Sequence, residues 1–229
     1  MRAPTPSWAV ARRRITPNRA MARSIIRIER MANRMHTVQL ILASTSPYRR
    51  ELLTRLGLPF ACVAPYIDES AQPDELPATL CARLSEAKAS AVAARHPQAL
   101  VIGSDQVAER AGILIGKPLS RESSRQQLAA ASGNSVRFHT GICLMHAGSA
   151  RHLHHIDVTE VRFRLLSAAM IENYLDREPA LDCAGGFKCE GLGVALFDAI
   201  RTDDPTALIG LPLIALRRML GAFGIDPLL

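Results

Sequence analysis

One segment, Ser44-Thr45-Ser46-Pro47-Tyr48-Arg49-Arg50, combines hydroxyl and guanidinium groups at a spacing that suits phosphate binding. It follows an apolar stretch, Gln39–Ala43, that predicts a strand, and its serine–proline pair is typical of a helix N-terminus. Free N–H groups at such a terminus attract anions, and both serine hydroxyls can donate to phosphate oxygens. The helix dipole disfavours the two arginines in the first turn unless a bound polyphosphate compensates them. The segment therefore predicts a phosphate site; the alternative is a solvated arginine pair on an ordinary capped helix.

Two acidic and two basic residues are further candidates. Asp105 follows the apolar segment Ala99–Gly103, and ligands gather at the carboxyl ends of strands in α/β sheets. Its carboxylate could hold Mg²⁺ or orient a water molecule, or it could simply form a turn. Glu69 is a weaker candidate of the same kind. Lys88 and Lys117 could each neutralise triphosphate charge, although either could also be an ordinary surface lysine.

Histidines and cysteines give no metal signature. His152, His154 and His155 lie near an expected hairpin tip, and we interpret them as exposed strand residues. The five cysteines are odd in number and contain no Cys-x-x-Cys pair, which disfavours a disulfide scaffold or a zinc site. We expect Cys183 and Cys189 to be inert thiols. We also expect the protein to be located in the reducing cytoplasm.

The elements that position these residues alternate early in the chain. Strands predicted at Gln39–Ala43, Phe60–Ala64 and Ala99–Gly103 are separated by helices, and a hairpin turns near Ala111-Gly112. Later come two long paired strands, Ser135–His146 and His155–Leu165, joined by a Gly148-Ser149 turn. Further predicted elements are helices starting after Ser120 and Ser167, a strand Leu192–Phe197 and a helix Pro212–Phe223. The pattern predicts an α/β fold with a mixed sheet.

The composition excludes some classes of protein. With 48% hydrophobic and 21% charged residues, the chain is ordinary for a globular protein. No apolar run reaches the roughly 20 residues of a membrane span. Aromatic residues make up only 4%, which disfavours a base-stacking nucleic-acid surface. We therefore expect neither a membrane nor a nucleic acid as partner.

The net charge of +7 is concentrated at the N-terminus, because residues 1–34 contain nine arginines and a single acid, Glu29. Such a segment could be an organelle transit peptide, a nucleic-acid-binding arm, or a non-native extension upstream of a start at Met35. We favour the last interpretation. We expect residues 1–37 to be an Arg-rich leader, disordered or non-native, and residues 38–229 to form one domain.

Several motifs in fixed order resemble the Maf family of nucleotide pyrophosphatases, over about 38–226. They are Leu40–Arg50, Ile102–Val107, Gly116–Leu119, Ala184–Gly191 and Ile209–Pro212. The resemblance implies a two-lobed mixed β-sheet with flanking helices around a deep central cleft. It also implies cleavage of a nucleoside triphosphate to monophosphate and pyrophosphate, dependence on Mg²⁺ or Mn²⁺, and a possible homodimer.

Site roles follow from the same resemblance. Asp105 corresponds to the family's proton acceptor, and with Glu69 it would hold the metal. The positions implied to handle phosphate are Ser44, Ser46, Arg49, Arg50, Lys88 and Lys117.

Three positions indicate the branch of the family. Branches that act on dTTP and UTP carry Arg, Thr and Gln where this chain has Tyr48, Gln106 and Glu190, so the chain resembles the house-cleaning branch that hydrolyses 7-methyl-GTP. N7-methylation makes guanine cationic, and an aromatic face attracts a cation, whereas an arginine would repel it. Tyr48 departs from a tryptophan more usual in that branch. The remaining alternatives are a dTTP/UTP pyrophosphatase, a nucleotide-binding regulator of cell division and a nucleic-acid-binding protein acting through the leader.

Overall fold

The computed structural model describes residues 38–229, and its centre is a seven-stranded mixed sheet. The strands are β1 Leu40–Ala43, β2 Phe60–Cys62, β3 Leu100–Arg110, β4 Ile113–Ile115, β5 Ser135–His146, β6 Arg151–Phe163 and β7 Phe197–Arg201. Their order is β2-β1-β3-β5-β6-β7, with β4 paired to β3. β1 pairs parallel with β2 and β3, and the other pairs are antiparallel. The predicted mixed α/β class is confirmed.

Five helices flank the sheet: α1 Pro47–Thr54, α2 Pro77–Ala93, α3 Arg121–Ala131, α4 Ala168–Arg177 and α5 Leu213–Ala222. On one face, α1 and α5 cover the Leu100 end of β3, and α3 and α4 cover its opposite end near Ala108. On the other face, α2 packs against β1, β3 and β5. Because β3, β5 and β6 run through both ends of the sheet, they connect the two halves of the core.

Several predicted strands have different boundaries. The strand expected at His155–Leu165 is observed as β6, Arg151–Phe163, and β2 ends at Cys62 rather than at Ala64. The segment expected to end at Ser104-Asp105 continues as one strand, β3, up to the confirmed turn at Ala111-Gly112. Polar residues interrupt the hydrophobic pattern of β3 at Ser104-Asp105. The sequence pattern therefore predicts that the strand ends there, although the chain stays extended. The predicted strand Leu192–Phe197 is wrong: Leu192–Leu196 forms a 3-10 helix, and β7 begins at Phe197. The chain is tightly packed here, because a Cβ added at Gly193 would lie 2.4 Å from the Lys188 carbonyl oxygen.

Within residues 38–229, no helix has the length and hydropathy needed to cross a membrane. The predicted leader, residues 1–37, and the proposed start at Met35 lie outside the residues that the structure describes.

Candidate active site

An interruption in strand pairing creates the site. β1 pairs with β3 only as far as Ala43 opposite Gly103, and β4 joins the same edge of β3 only at Ala108. Among the described strands, none pairs with Ser104–Val107 on that edge. Since side chains alternate between the faces of a strand, Asp105 points toward the α2 face at this gap and Gln106 points toward the opposite face.

Asp105 forms a buried ion pair on the α2 face. The Lys88 Nζ lies 2.6 Å from Asp105 Oδ1 and 2.8 Å from Glu69 Oε1. The Lys88 and Asp105 side chains are 6% and 9% exposed, whereas Glu69 is 56% exposed. The structure therefore brings together the predicted acids and one predicted lysine, and Lys88 is not a surface residue.

Close packing of α2 on the sheet places Lys88 over Asp105. A Cβ at Gly103 would lie 2.1 Å from the Ser85 carbonyl oxygen and 2.5 Å from the Ala89 nitrogen. At Gly141 on the neighbouring strand, a Cβ would lie 2.8 Å from Ser85 Oγ. Only glycine fits this approach, because the nearest atoms at Gly103 belong to the backbone of α2.

The loop that carries Glu69 is tied to α2 by an ion pair. Arg83 Nε donates to Glu75 Oε1 at 2.7 Å, and another Arg83 nitrogen donates to the Ser70 carbonyl at 2.9 Å. This pairing with Arg83 lowers the pKa of the Glu75 carboxyl to about 2. The loop is thereby held at both Ser70 and Glu75, next to Glu69.

The serine and arginine segment forms the predicted helix start. Ser46 is the N-cap of α1, and its Oγ accepts from the Arg49 N–H at 3.4 Å. The Ser46 N–H in turn donates to Ser44 Oγ at 3.1 Å. Arg49 Nε donates to the Gly210 carbonyl at 2.9 Å. Arg50, one residue further round the helix, is exposed and lines neither of the two cavities described below.

These groups line a cavity of about 740 Å³, which we call the phosphate cavity. Nine predicted site residues line it: Ser44, Ser46, Tyr48, Arg49, Glu69, Lys88, Asp105, Gln106 and Lys117. Lys117 reaches it from the loop after β4 and is exposed. Three basic side chains and three acidic ones, with Asp182 as the third acid, therefore surround a space large enough for a nucleotide's phosphates.

A smaller cavity of about 130 Å³, the base pocket, adjoins the first. Tyr48, Gln106 and Glu190, the three positions that distinguish the family branches, all line it. Tyr48 and Gln106 line both cavities, as do Ser46, Arg49 and Lys117. One ligand could therefore occupy both spaces.

Gln106 and Tyr48 are each held by a neighbouring loop. The Gln106 Nε2 donates to the carbonyls of Ala207 and Leu208, both at 3.0 Å. The Tyr48 hydroxyl donates to Asp182 Oδ2 at 3.2 Å. Burial is the main cause that raises the pKa of the Tyr48 phenol above its ordinary value, so this hydroxyl stays neutral.

A buried phenylalanine anchors the glycine-rich loop that carries Glu190. The Phe187 ring makes edge contacts with Phe138, Phe163 and Phe197, at centroid distances of 5.5, 5.6 and 4.8 Å. Gly185 and Gly186, both at positive φ, bring the chain to this ring. The residues after Phe187 then line the base pocket as far as Glu190.

Sequence reasoning missed two residues of the base pocket. Asp182 accepts from Tyr48, and the Lys188 Nζ lies 5.6 Å from the centre of the Tyr48 ring. Lys188 lies inside the Phe-Lys-Cys-Glu motif, and its position two residues before Glu190 could have indicated that it belongs to the pocket. Asp182 precedes the motif, and nothing in the sequence indicated its role.

The cysteines near the site are poorly suited to act as nucleophiles. All five cysteines are free. Burial raises the pKa of Cys81 to about 12, that of Cys183 to about 11 and that of Cys189 to about 12. Thiols with such pKa values stay protonated at neutral pH. The reactive groups available in the site are therefore carboxylates, ammonium and guanidinium groups, and hydroxyls.

Comparison with known proteins gives one consistent result. The family model described as "Maf-like protein" matches residues 39–223. A protein of Xanthomonas axonopodis pv. citri, named 7-methyl-GTP pyrophosphatase, is 59% identical over 186 residues, which cover 81% of this chain and 97% of the relative. A protein of Bordetella pertussis with the same name is 56% identical over 191 residues, which cover 83% of this chain and 94% of the relative.

Proposed function

This chain belongs to the Maf family, and we propose that it hydrolyses 7-methyl-GTP to the monophosphate and pyrophosphate. The observation that carries the proposal is the convergence of Tyr48, Gln106 and Glu190 on one pocket that opens beside the phosphate cavity. The two relatives described above carry the name of the same activity.

The chemistry of the base pocket suits a cationic guanine. The Glu190 carboxylate can accept from the N1–H and the exocyclic amine of guanine, a pair of donors that thymine and uracil lack. The Tyr48 ring lines this pocket, and an aromatic ring attracts a cation such as a methylated guanine.

The phosphate cavity supplies the groups that the reaction needs. In the proposed step, the Asp105 carboxylate accepts a proton from the attacking water, the water oxygen bonds to the α-phosphorus, and the bond to the pyrophosphate oxygen breaks. Arg49, Lys88 and Lys117 stabilise the charge that develops on the departing pyrophosphate. Lys88 also holds Asp105 in place before substrate binds. Arg50 has no part in this proposal, because it lies outside the cavity.

The donor atoms of Asp105 and Glu69 fit a hard divalent cation. Each carboxylate uses one oxygen on Lys88, so the other oxygen of each remains for a metal. Mg²⁺ is commonly held by one or two carboxylates together with substrate phosphates. A bound Mg²⁺ or Mn²⁺ would polarise the phosphoryl oxygens.

A substrate panel tests the function. The full chain is incubated with 7-methyl-GTP, GTP, dTTP and UTP, with Mg²⁺ or with EDTA, and released pyrophosphate is measured. We expect the highest kcat/KM for 7-methyl-GTP and loss of turnover in EDTA. A preference for dTTP or UTP would instead support the alternative branch, and pyrophosphate release from none of the four would contradict a pyrophosphatase function.

Location and assembly are parts of the same proposal. We place the protein in the cytoplasm, where free thiols persist and nucleotides are found. A homodimer stays a prediction from the family resemblance.

A further inference from the structure

Three surface side chains outside both cavities bring their ligand atoms together. Glu86 on α2 and His152 and His154 on β6 are all exposed, and one carboxylate oxygen and one nitrogen from each ring lie within 4.8 Å of one another. The two imidazole rings meet edge to face, with centroids 5.0 Å apart. None of the three lines the phosphate cavity or the base pocket.

The fold explains why these residues meet. His152 and His154 are two apart on a strand, so they share a face of the sheet. They stand opposite Met145 and Cys143 of β5, two residues that pack against the α2 side of the core with Ala89. The two histidines therefore lie on the face that α2 covers, at its margin. Glu86 projects from α2 toward solvent at the same margin.

The donor set matches a transition metal rather than Mg²⁺. Imidazole nitrogens suit Zn²⁺, Cu²⁺ and Ni²⁺, and two histidines with one carboxylate are a common zinc ligand set. In a tetrahedral Zn²⁺ site the ligand atoms lie about 3.4 Å apart, given bond lengths of about 2.1 Å. Small rotamer changes of three exposed side chains would close the remaining distance. Within residues 38–229, none of the three forms an ion pair with another side chain.

We propose that Glu86, His152 and His154 bind one zinc-class divalent ion, with water as the fourth ligand, and that this ion links α2 to β6. The proposal does not depend on the function proposed above. It bears on the active site through α2: Lys88 is two residues after Glu86, about 200° further round the helix. An ion on the outer side of α2 would thus stabilise the helix whose inner side holds Asp105.

Calorimetric titration of the untagged full chain with Zn²⁺, in excess Mg²⁺, tests this site. Excess Mg²⁺ competes for oxygen-ligand positions such as Asp105 and leaves imidazole sites free. We expect one Zn²⁺ per chain and a rise in Tm on binding. In the His152→Ala/His154→Ala variant we expect affinity to fall by at least ~100-fold, because loss of even an outer partner of a ligand costs about 10- to 100-fold. Glu86→Gln should weaken binding by a smaller factor.

His155→Ala is the matched control, since His155 is the next residue on β6 and faces the other side of the sheet, 4.0 Å from Asp157. It should bind Zn²⁺ as the unchanged chain does. Circular dichroism of each variant confirms that it is folded. Absence of stoichiometric Zn²⁺ binding, or equal affinity in the double variant and the His155→Ala control, would overturn the proposal.

Discussion

Asp105 and Gln106 are neighbours on β3, yet they face opposite sides of the sheet, and the two regions they enter are built differently. On Asp105's side, the Asp105–Lys88 pair rests on regular elements: a strand, and a helix pressed against it at Gly103. On Gln106's side, the base pocket rests on two loops, one held by Gln106 and the other by the Phe187 ring.

The difference separates chemistry from selectivity. The Asp105–Lys88 pair needs one fixed geometry for every nucleotide, and a strand and a helix supply it. Groups that choose the base can change with loop residues while β3 and α2 stay as they are. Variants on the two sides should therefore fail in different ways: loss of turnover with every substrate on one side, and an altered preference on the other.

The largest effect is expected from Asp105→Asn. The amide keeps the size of the side chain but cannot accept the proton, so kcat should fall by about 10³-fold, within the usual range for general-base catalysis. The fall should be equal for 7-methyl-GTP and dTTP. Pyrophosphate release under saturating substrate measures it, and circular dichroism checks the fold.

Asp68→Asn is the control for that variant, because Asp68 is an exposed carboxylate one residue before Glu69 and lines neither cavity. It should keep near-normal turnover. An Asp105→Asn enzyme with more than about a tenth of the normal rate would exclude Asp105 as the base.

The next largest effect is expected from Glu190→Gln, and it should appear as selectivity. Hydrogen bonds to a charged acceptor contribute about 1.5–3 kcal/mol, so the ratio of kcat/KM for 7-methyl-GTP to that for dTTP should fall by roughly 10- to 100-fold. Turnover of dTTP should not fall. Glu51→Gln, an exposed change on α1, should leave the ratio unaltered. A uniform loss with all substrates would mean that the two regions are not separable.

The phosphate cavity and the base pocket also differ in how well the sequence predicted them. Ser46 with Pro47 marks a helix start by local chemistry alone, and α1 begins there as predicted. The continuation of β3 past Asp105 was missed. Its polar residues face a cavity that only the tertiary structure reveals, so in the sequence they look like the end of a strand. The Asp105–Lys88 pair joins residues 17 positions apart, and no local pattern indicates that α2 approaches so closely.

Gly103→Ala tests whether that close approach matters. The added Cβ would meet backbone atoms of α2 at 2.1 and 2.5 Å, and overpacking of this kind costs about 1–3 kcal/mol of unfolding free energy. Because the helix must shift, Lys88 moves too, and kcat should fall for all substrates alike. Denaturant unfolding and the pyrophosphate assay measure the two effects.

Gly221→Ala is the control for this change, since a Cβ at that position on α5 meets no atom within 4 Å. It should leave turnover unchanged and keep or raise stability by up to about 1 kcal/mol, the helix preference of alanine over glycine. Unchanged stability and turnover in Gly103→Ala would show that α2 can shift without consequence.

The base pocket was harder to predict than the phosphate cavity. Glu190 could be assigned only through the family resemblance, because its position depends on how Phe187 packs among three distant phenylalanines. Asp182 and Lys188 contact Tyr48, although both lie more than 130 positions after it in the sequence. Loops of this kind are fixed by packing rather than by their own propensities, so a single sequence gives little sign of them.

The smallest effect is expected from Tyr48→Phe, which separates the contribution of the ring from that of the hydroxyl. Tyr48→Phe removes the hydrogen bond to Asp182 but keeps the aromatic face, so kcat/KM for 7-methyl-GTP should fall less than about 5-fold, the effect of one modest hydrogen bond. Tyr48→Ala also removes the face; loss of a cation–π contact of about 0.5–2 kcal/mol predicts a further drop of up to roughly 30-fold. Both effects should be absent with dTTP, whose base carries no charge. If Phe and Ala were equally poor, the hydroxyl and its loop contact would select the base, and the pocket would act through Asp182 rather than through the ring.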